Sequence, residues 1–463
     1  MKITFLILTC LLSLFGNIST AVSQEKNKPS MFEQDVSHVI SAYSKLDWFT
    51  GNLLVVEKGN TILRSDTGMA STKRDVKNQQ CTRFNIGSIT KHYTAVLILQ
   101  LIEQGQLSFD TPLSNFDFGF TQVDTKTITI EHLLKHQAGF RDIFVAEYMN
   151  NPLAYNSLDK KIALLIDEPL RFTPGSDSKY SNYGFIILGA IAEKITDKSF
   201  ARLLEERIFI PTGAKSSSLI RSENDKCQSD RFTYSISGKN VETQFREVSG
   251  PDGGIEATID DVYRFYDTLF FSDLLLKREG DIFKRYFNEN NHIRSYGGGT
   301  GVSAAVEVLR SEHLIVVVLA NTDELVAERV SVRILEAAQG KPITPVKLPA
   351  KHFVYKQFKT LDPQTFKTTF KDIYQSSGYN MFLGRAINEA GLSILRNAPD
   401  KKGLEIIQLL GHFYPNAPQA YDSEAYAYQL IGYEKKAQQV FKKALAINPK
   451  FISDYSESNF GLK

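Results

Sequence analysis

Segments that favour β-strands stand at both ends of one long stretch of the chain, with helical patterns between them. Residues 51–65, "GNLLVVEKGNTILRS", predict two strands joined by a tight turn at "EKGN". Residues 297–309, "GGGTGVSAAVEVL", and 313–322, "HLIVVVLANT", predict two more strands separated by a polar turn. Because strands bracket the helices, we expect an α+β domain in which both ends of the stretch meet in one antiparallel sheet flanked by helices.

The amino-terminal residues carry the pattern of an export signal. An apolar run covers residues 3–15, and the small residues Ala, Val and Ser at 21–23 precede Gln24. This pattern predicts a signal peptide at 1–23 and a mature protein that is periplasmic or secreted. A membrane anchor is the alternative, but the run is shorter than the roughly 20 apolar residues of a spanning helix. We therefore expect no stable membrane span after cleavage.

The charge balance argues for a small partner rather than a polyanion. The chain has 54 Lys and Arg residues against 52 Asp and Glu residues, a net charge of +2. So small an excess creates no field that would gather nucleic acid or an anionic membrane. We therefore expect a small-molecule or peptide partner.

The cysteines leave one question open. Cys10 lies in the predicted signal peptide, so the mature chain keeps Cys81 and Cys227. Neither has the spacing of a metal site, and sequence separation alone does not decide whether they pair. Two cysteines do not make a disulfide scaffold, so stability is expected from burial of a core.

A change of pattern after residue 340 indicates a second region. Residues 341–353, "KPITPVKLPAKHF", are rich in Pro and Lys and lack helical periodicity, so we predict a linker at 341–378. Residues 379–463 align with themselves at a shift of 34, which places Gly391 on Ala425 and Gly403 on Ala437. This is the period of tetratricopeptide repeats, in which small residues lie where paired helices cross.

Two such repeats are fewer than the roughly three that a free-standing array needs. We therefore expect the predicted repeats at 379–463 to pack against the main domain, predicted at 24–340, or against a protein partner. The alternative is an ordinary helical hairpin with no binding role.

A candidate nucleophile occurs in "FNIGSITKHYTAVLILQ", where Ser88 opens an amphipathic helix and Lys91 follows one turn later. Residues three apart share a helix face, so the hydroxyl and the amine are predicted to meet. A hydroxyl is a weak nucleophile until a base takes its proton, and a lysine is such a base when burial lowers its pKa. Ser157 has the same spacing to a lysine and is explained as an N-cap, a role that is open to Ser88 as well.

Two later segments supply partners for that serine. Tyr180 and Asn182 stand at the start of another amphipathic helix, after a Pro-Gly turn. A tyrosine can relay a proton and an asparagine can orient an amide carbonyl. Residues 296–300, "YGGGT", open a predicted strand almost free of side chains, which lets a substrate backbone approach closely.

In this order the three elements resemble the serine β-lactamase and penicillin-binding protein superfamily, and most closely its class C β-lactamase-like and esterase-like members. The resemblance covers Phe32 to Gln339 and includes "GNLLVVEKGN", "LLKHQAGF" and "GPDGGIEATIDDVYRF". It implies a β-lactamase/transpeptidase-like fold, to which the predicted C-terminal helical repeats are added.

The resemblance also implies roles for the residues that match the superfamily's motifs. Ser88 would be the acylated nucleophile and Lys91 its base. Tyr180 would relay the proton, and Asn182 would be a hydrogen-bond donor that orients the substrate. The implied reaction is two-step acyl transfer, in which an acyl-Ser88 intermediate forms and water then releases the acyl group.

The resemblance further implies that the strand beginning at Tyr296 binds the substrate, with Gly298 and Gly299 at its open end. The N–H groups of Gly299 and Ser88 would form the oxyanion hole. Loss of one such donor typically costs roughly a hundredfold or more in rate.

One position departs from the superfamily's pattern. The third motif usually begins with Lys or His, whereas Tyr296 has no positive charge at neutral pH to meet a substrate carboxylate. Some esterase-like relatives carry an aromatic residue there. The departure favours esters or amides with an uncharged end over β-lactams. Ala138, where many relatives have serine, is a second departure without a clear consequence.

Several other polar residues have structural interpretations. His136 precedes a glycine-bearing turn and is predicted to hold that loop rather than to carry protons. His292 lies near the strand motif but out of register with it. Asp260 and Asp261 are predicted to cap a helix rather than to bind a metal, and the aromatic residues at 265–271 to fill a core. The sequence has no phosphate loop, nucleotide fingerprint or metal-ligand cluster, so no cofactor or metal is predicted.

Two functional hypotheses follow. The first is an exported serine hydrolase that uses Ser88, Lys91 and Tyr180 on an ester or amide. The second is an inactive envelope binding protein that keeps the fold and holds a partner through its helical repeats, a hypothesis motivated by Tyr296. The presence of all four motif residues together, Asn182 included, favours the hydrolase.

Overall fold

The computed structural model describes residues 30–223, 225–288, 290–396, 401–456 and 459–462. The predicted signal peptide at 1–23 lies outside the described residues. The strands are β1 (Gly51–Glu57), β2 (Asn60–Thr67), β3 (Met69–Ser71), β4 (Val76–Lys77), β5 (Phe84–Asn85), β6 (Phe232–Tyr234), β7 (Asn240–Glu242), β8 (Glu256–Ala257), β9 (His292–Gly299), β10 (Val302–Leu309) and β11 (Leu314–Ala320).

A five-stranded antiparallel sheet in the order β2-β1-β11-β10-β9 lies at the centre of the main domain. The shorter strands pair outside it, β3 with β4, β5 with β8 and β6 with β7. Because β1 and β11 are hydrogen-bonded neighbours, strands from the two ends of the domain meet in the middle of the sheet. The predicted α+β class and its single antiparallel sheet are therefore confirmed.

Helices surround the sheet and make up most of the described C-terminal region. They are α1 (Met31–Lys45), α2 (Thr90–Glu103), α3 (Ile130–Leu134), α4 (Ala146–Asn150), α5 (Leu158–Ala163), α6 (Asn182–Thr196), α7 (Phe200–Leu204), α8 (Ile210–Thr212), α9 (Ile259–Phe271), α10 (Asp281–Phe287), α11 (Val326–Ala338), α12 (Ala350–Thr360), α13 (Pro363–Ser376), α14 (Leu383–Leu395), α15 (Lys401–Phe413), α16 (Pro418–Leu430) and α17 (Glu434–Ile447).

Each face of the sheet is covered by its own hydrophobic core, which explains the unbroken apolar runs of the central strands. On β1, Leu54 and Val56 belong to the core that contains α2, α6 and the predicted aromatic residues of α9. Leu53 and Val55 belong to the core beneath α1 and α11. Since side chains alternate between the faces of a sheet, a strand covered on both faces is apolar throughout. The helix α2 crosses the first core and is buried on all sides, which fixes the position of the residues at its start.

The linker predicted at 341–378 is wrong for most of its length, because α12 and α13 occupy it from Ala350 to Ser376. The Pro- and Lys-rich start suggested irregular structure, yet the helix begins directly after Pro349. The helical signal was present further on: Phe366, Phe370 and Tyr374 are spaced one turn apart and are buried together.

The helices α14 to α17 place the predicted small residues at helix crossings. A Cβ on Gly391 would lie 2.8 Å from Gly403 O, so glycine lets α14 approach α15 closely. Ala425 and Ala437 are buried in one cluster between α16 and α17. The tetratricopeptide assignment and the protein partner stay predictions.

The helix α12 attaches the C-terminal region to the main domain. Val354 of α12 shares a hydrophobic cluster with α14. On its other side, His352 Nδ1 lies 3.0 Å from Ile236 O, and Lys351 forms an ion pair with Glu324. The repeats therefore reach the main domain through α12. Within the residues that the structure describes, no helix combines the length and apolar composition needed to cross a bilayer.

Candidate active site

Ser88 lies in a 3-10 turn, Gly87–Ile89, that leads directly into α2. Asn85 fixes this turn, since its Oδ1 accepts the N–H of Gly87 at 2.9 Å. Gly87 has a φ of +51°, and a Cβ there would come within 3.0 Å of Gly298 N. Glycine at this position therefore lets the turn lie against β9.

Lys91 meets Ser88 as the spacing predicts. Its Nζ donates to Ser88 Oγ at 3.2 Å, to Asn182 Oδ1 at 2.6 Å and to the backbone carbonyl of Asp252. The residue is only 5% exposed, and all three acceptors are uncharged. Three neutral oxygens hold the amine in place without a direct carboxylate contact that would lock it in its charged form.

The environment of Lys91 suits a base. Burial lowers the pKa of Lys91 to about 8, although the charges of Asp252, Asp142 and Glu247 oppose that change. Lys161 acts in the same direction as burial. A lysine in water has a pKa near 10.4, so this amine is neutral far more often at physiological pH than a surface lysine is.

Tyr180 provides a second hydrogen bond to the serine hydroxyl, beside that from Lys91. Its hydroxyl donates to Ser88 Oγ at 2.8 Å. Burial raises the pKa of Tyr180 to about 12, and Asp142 and Asp252 act in the same direction. The phenol is therefore protonated at neutral pH and is a proton donor rather than a base. About half of the residue, 51%, is exposed, which places Tyr180 at the mouth of the site.

Asn182 is in the site, but its amide group is already engaged. Its Oδ1 accepts from Lys91, and its Nδ2 donates to both carboxylate oxygens of Asp142 at 3.1 and 3.0 Å. Asn182 therefore links the base to Asp142, a residue that the sequence patterns did not single out. Its predicted role as a hydrogen-bond donor that orients the substrate stays a prediction.

The glycine-rich end of β9 lies beside the serine turn. A Cβ on Gly297 would lie 2.1 Å from Ile86 O and 3.1 Å from Ser88 N, so only glycine permits this contact. Gly298 and Gly299 are exposed at the edge of the sheet. From the sequence, these glycines are interpreted as room for the backbone of a substrate. At Gly297, however, the backbone that approaches is that of Ile86 and Ser88 in the same protein.

Tyr296 points away from Ser88, which corrects its predicted place in the substrate site. Alternate residues of a strand face opposite sides, and Tyr296 packs on the core beneath α11, whereas Gly297 faces the serine turn. Its hydroxyl donates to Glu307 Oε1 at 2.7 Å. Glu307 has no exposed side-chain surface and also accepts from Ser331 at 3.1 Å. A lone glutamate in the apolar run "AAVEVL" was the signal for this buried network.

The two histidines considered in the sequence analysis lie outside the group formed by Ser88, Lys91 and Tyr180. His136 Nδ1 accepts the N–H of Ser181 at 3.3 Å, and burial lowers the pKa of His136 to about 4, so the ring is a neutral acceptor that holds the loop. His292 Nε2 lies 2.6 Å from Glu307 Oε2, on the far side of the sheet.

Asp260 and Asp261, which were predicted to cap a helix, belong to the first turn of α9, and the observed N-cap is a different residue. The N-cap is Thr258, whose hydroxyl accepts the N–H of Asp261 at 3.3 Å. Asp261 instead accepts from the backbone of Ser216 at 2.7 Å. In the part of the chain that the structure describes, no group of three or more His, Cys, Asp and Glu side chains could hold a metal.

This geometry is that of a serine hydrolase with a lysine base, because a buried amine and a protonated phenol converge on one serine hydroxyl beside a sheet edge. The Beta-lactamase family model matches residues 39–341. The chain belongs to the Beta-lactamase family, and the resemblance drawn from the three motifs is confirmed.

Known proteins similar to the chain have several named activities. The D-aminopeptidase of Gluconobacter oxydans is 27% identical over 323 residues, which cover 64% of this chain and 60% of that protein. The penicillin binding protein of Bacillus halodurans matches with a TM-score of 0.57 and 24% identity, over 65% of this chain and 100% of that one. EstCE1, described as a hydrolase with promiscuous acyltransferase activity, has a TM-score of 0.56 and 18% identity, over 66% of this chain and 98% of that one.

The curated relatives and the solved structures support different statements about this chain. The chain spans between 38% and 61% of the length of the curated relatives it matches. The similarity to the solved structures establishes the fold, including the sheet and the helices on its faces.

Proposed function

We propose that this protein is an exported serine hydrolase that cleaves an ester or amide through an acyl-Ser88 intermediate. The observation that carries the proposal is the pair of contacts at Ser88 Oγ, from Lys91 Nζ at 3.2 Å and from Tyr180 Oη at 2.8 Å. Membership of the Beta-lactamase family, with a D-aminopeptidase and the hydrolase EstCE1 among similar proteins, supports a hydrolase.

In the acylation step, neutral Lys91 takes the proton of Ser88 as Oγ attacks the carbonyl carbon of the substrate. With a pKa of about 8, roughly a tenth of the Lys91 amines are neutral at pH 7. As the bond to the leaving atom breaks, that atom takes a proton from Tyr180, which is replenished from Lys91. The net transfer is one proton from Ser88 to the leaving group.

The charge that develops on the carbonyl oxygen needs hydrogen-bond donors. The N–H groups of Ser88 and Gly299 are the pair that the superfamily's motif assigns to this task. The close contact between the serine turn and β9 supports the assignment, because Gly297 lies directly against Ser88 N. In the second step water attacks the acyl carbon, Lys91 accepts the proton of the water, and Lys91 returns that proton to Ser88 Oγ as the bond to Oγ breaks and the acid leaves.

The strand beside the serine favours a substrate with an uncharged end. Residues 296–300 read Tyr-Gly-Gly-Gly-Thr and carry no cation. The phenol of Tyr296 is committed to Glu307 on the other face of the sheet, so it does not replace one. A substrate carboxylate would therefore lack a charged partner among residues 296–300, which supports an esterase or amidase over a β-lactamase.

Export rests on two features. The sequence predicts a signal peptide at 1–23, and Cys81 and Cys227 form a disulfide bond. Disulfides persist in oxidising compartments such as the periplasm or the cell exterior and are rare in the cytosol. Cell fractionation of the full chain, compared with a chain lacking residues 2–23, tests the proposed location.

Intact mass of the purified protein tests the chemistry. The protein is exposed to a fluorophosphonate and, separately, to a penicillin, with Ser88→Ala as the control. We expect a fluorophosphonate adduct that depends on Ser88 and little labelling by penicillin. Stable labelling by penicillin as well would point to a cell-wall peptidase or a β-lactamase. Labelling by neither reagent would overturn the hydrolase and favour the inactive binding protein.

A further inference from the structure

A second buried lysine lies near the base and has no part in the mechanism above. Lys161, on α5, has 2% of its side chain exposed, and its Nζ donates to Val248 O at 2.9 Å. The same Nζ lies 3.6 Å from Asp252 Oδ1, which has no hydrogen-bond partner among the described residues. A buried charge is costly unless it is paired, so this lysine and this carboxylate depend on each other.

Asp252 stands between the two lysines. Its backbone carbonyl accepts from Lys91 Nζ, whereas its carboxylate faces Lys161. One residue therefore connects the amine that contacts Ser88 to an amine outside the site.

The turn that carries Asp252 is held on both sides. Gly250 and Gly253 exchange backbone hydrogen bonds at 2.8 and 3.1 Å, which closes the turn. Thr94 of α2 donates to Pro251 O at 2.6 Å and ties the inner side of the turn to the nucleophile helix. On the outer side, the amine of Lys161 bonds to Val248 O in the irregular segment that leads into the turn.

We propose that Lys161 is a positioning residue for the base: it anchors the Asp252 turn so that the Asp252 carbonyl holds the Lys91 amine against Ser88, and its charge offsets that of the Asp252 carboxylate. The proposal rests on the proposed function, in which Lys91 is the base. The glycine at 250 fits this role, because a Cβ there would lie 3.1 Å from Lys161 Nζ and 3.2 Å from Asp252 Oδ1. A larger residue would separate the pair.

The charges around Lys91 fix the sign of the expected effect. Burial opposes its ammonium form most, Lys161 also opposes it, and the carboxylates of Asp252, Asp142 and Glu247 favour it. The neutral groups beside it are Tyr180, Asn182 and His136. Without Lys161 the carboxylate of Asp252 acts on Lys91 unopposed and raises its pKa, whereas loss of that carboxylate lowers it.

The rate at which a fluorophosphonate modifies Ser88 tests the proposal without a known substrate. Intact mass gives this rate across about pH 6 to 10, a range that spans the titration of Lys91. The variants are Lys161→Met, Lys161→Arg and Asp252→Asn. Lys160→Met is the matched control. Lys160 is the neighbour of Lys161 in the sequence, but its amine is exposed and contacts Asn156.

We expect the midpoint of the pH profile to rise by about one unit in Lys161→Met, which lowers the rate at pH 7 about tenfold. The midpoint should fall in Asp252→Asn, return toward the wild-type value in Lys161→Arg and stay unchanged in Lys160→Met. An unmoved midpoint in folded Lys161→Met would overturn the proposal even if the rate fell, because the charge of Lys161 would then have no influence on Lys91.

Circular dichroism shows whether Lys161→Met folds. If it does not, Asp252→Asn decides the question, and a midpoint that stays or rises in that variant overturns the proposal. If Ser88 of the wild-type protein is not modified at any pH, the proposed function fails and the role of Lys161 fails with it. The two failures are thus distinguishable.

Discussion

Two stretches of this chain share the spacing Ser-x-x-Lys and form different structures. At 88–91 the lysine is buried and its amine contacts the serine hydroxyl at 3.2 Å. At 157–160 the serine hydroxyl accepts the backbone N–H of Lys160 at 3.3 Å, and the lysine amine lies at an exposed position. The first helix crosses a core, whereas the second begins at the surface. Burial rather than spacing therefore turns a lysine into a base.

The largest expected difference concerns the two serines. Ser88→Ala removes the only atom that accepts the acyl group in the proposed mechanism, so labelling by a fluorophosphonate should disappear. Ser157→Ala should label at the wild-type rate. Intact mass measures both, and an adduct that persists in Ser88→Ala would assign the nucleophile to another residue.

The two lysines should differ nearly as much. Lys91→Met removes the base and should slow acylation of Ser88 by about 10²- to 10⁴-fold, the usual contribution of general base catalysis. Lys160→Met should leave the rate unchanged. The rate of fluorophosphonate modification at pH 8 measures the effect, and similar rates for the two variants would contradict the role of burial.

Tyr180 supplies the second contact at the Ser88 hydroxyl, so its replacement isolates the proton donor. Tyr180→Phe keeps the ring and removes the hydroxyl that lies 2.8 Å from Ser88 Oγ. We expect turnover of an alkyl ester, whose alkoxide leaving group needs a proton, to fall about a hundredfold. The loss should be smaller for esters with acidic leaving groups, which need no proton to depart. Equal losses for all leaving groups would argue against a proton donor.

The pH dependence should report the buried lysine. Because the folded pKa of Lys91 is lowered to about 8, the neutral amine becomes more abundant as the pH rises toward that value. The acylation rate should increase about tenfold per pH unit below pH 8 and level off above it. A plateau that begins near pH 10 would mean that Lys91 titrates as an ordinary exposed lysine.

The smallest expected effect concerns the N-cap. Ser157→Ala should lower the free energy of unfolding by about 1 kcal/mol, because the backbone N–H of Lys160 loses its acceptor. Denaturant unfolding followed by circular dichroism measures it. Ser157→Asp, which keeps an acceptor, should restore most of the stability, and no loss in Ser157→Ala would contradict the cap.

The sequence was informative where a local pattern and the global fold agree. The central strands could be predicted from apolar runs and turns, and Ser88, Lys91 and Tyr180 from motifs that a shared fold brings together. The linker prediction was wrong because the proline-rich start outweighed the helical spacing of Phe366 and Phe370.

The rest depends on tertiary contacts that no local pattern encodes. The direction of Tyr296 follows from its register on β9 and from a buried acceptor, Glu307, eleven residues away. Asp252 contacts Lys91 through its backbone carbonyl, a group that every residue has. Asp142 belongs to the site because its carboxylate accepts a hydrogen bond from Asn182. Such residues are recognised only once the chain is folded.

The disulfide between Cys81 and Cys227 has a further consequence for how the site is assembled. It joins residues 146 positions apart, and the chain between them contains Ser88, Lys91 and Tyr180. In the chain-entropy account, closing a loop of this length removes about 5 kcal/mol of conformational freedom from the unfolded chain. In the unfolded oxidised protein, the nucleophile, its base and its proton donor therefore already lie in one covalent ring, whereas the Asp252 turn and the edge strand lie outside it.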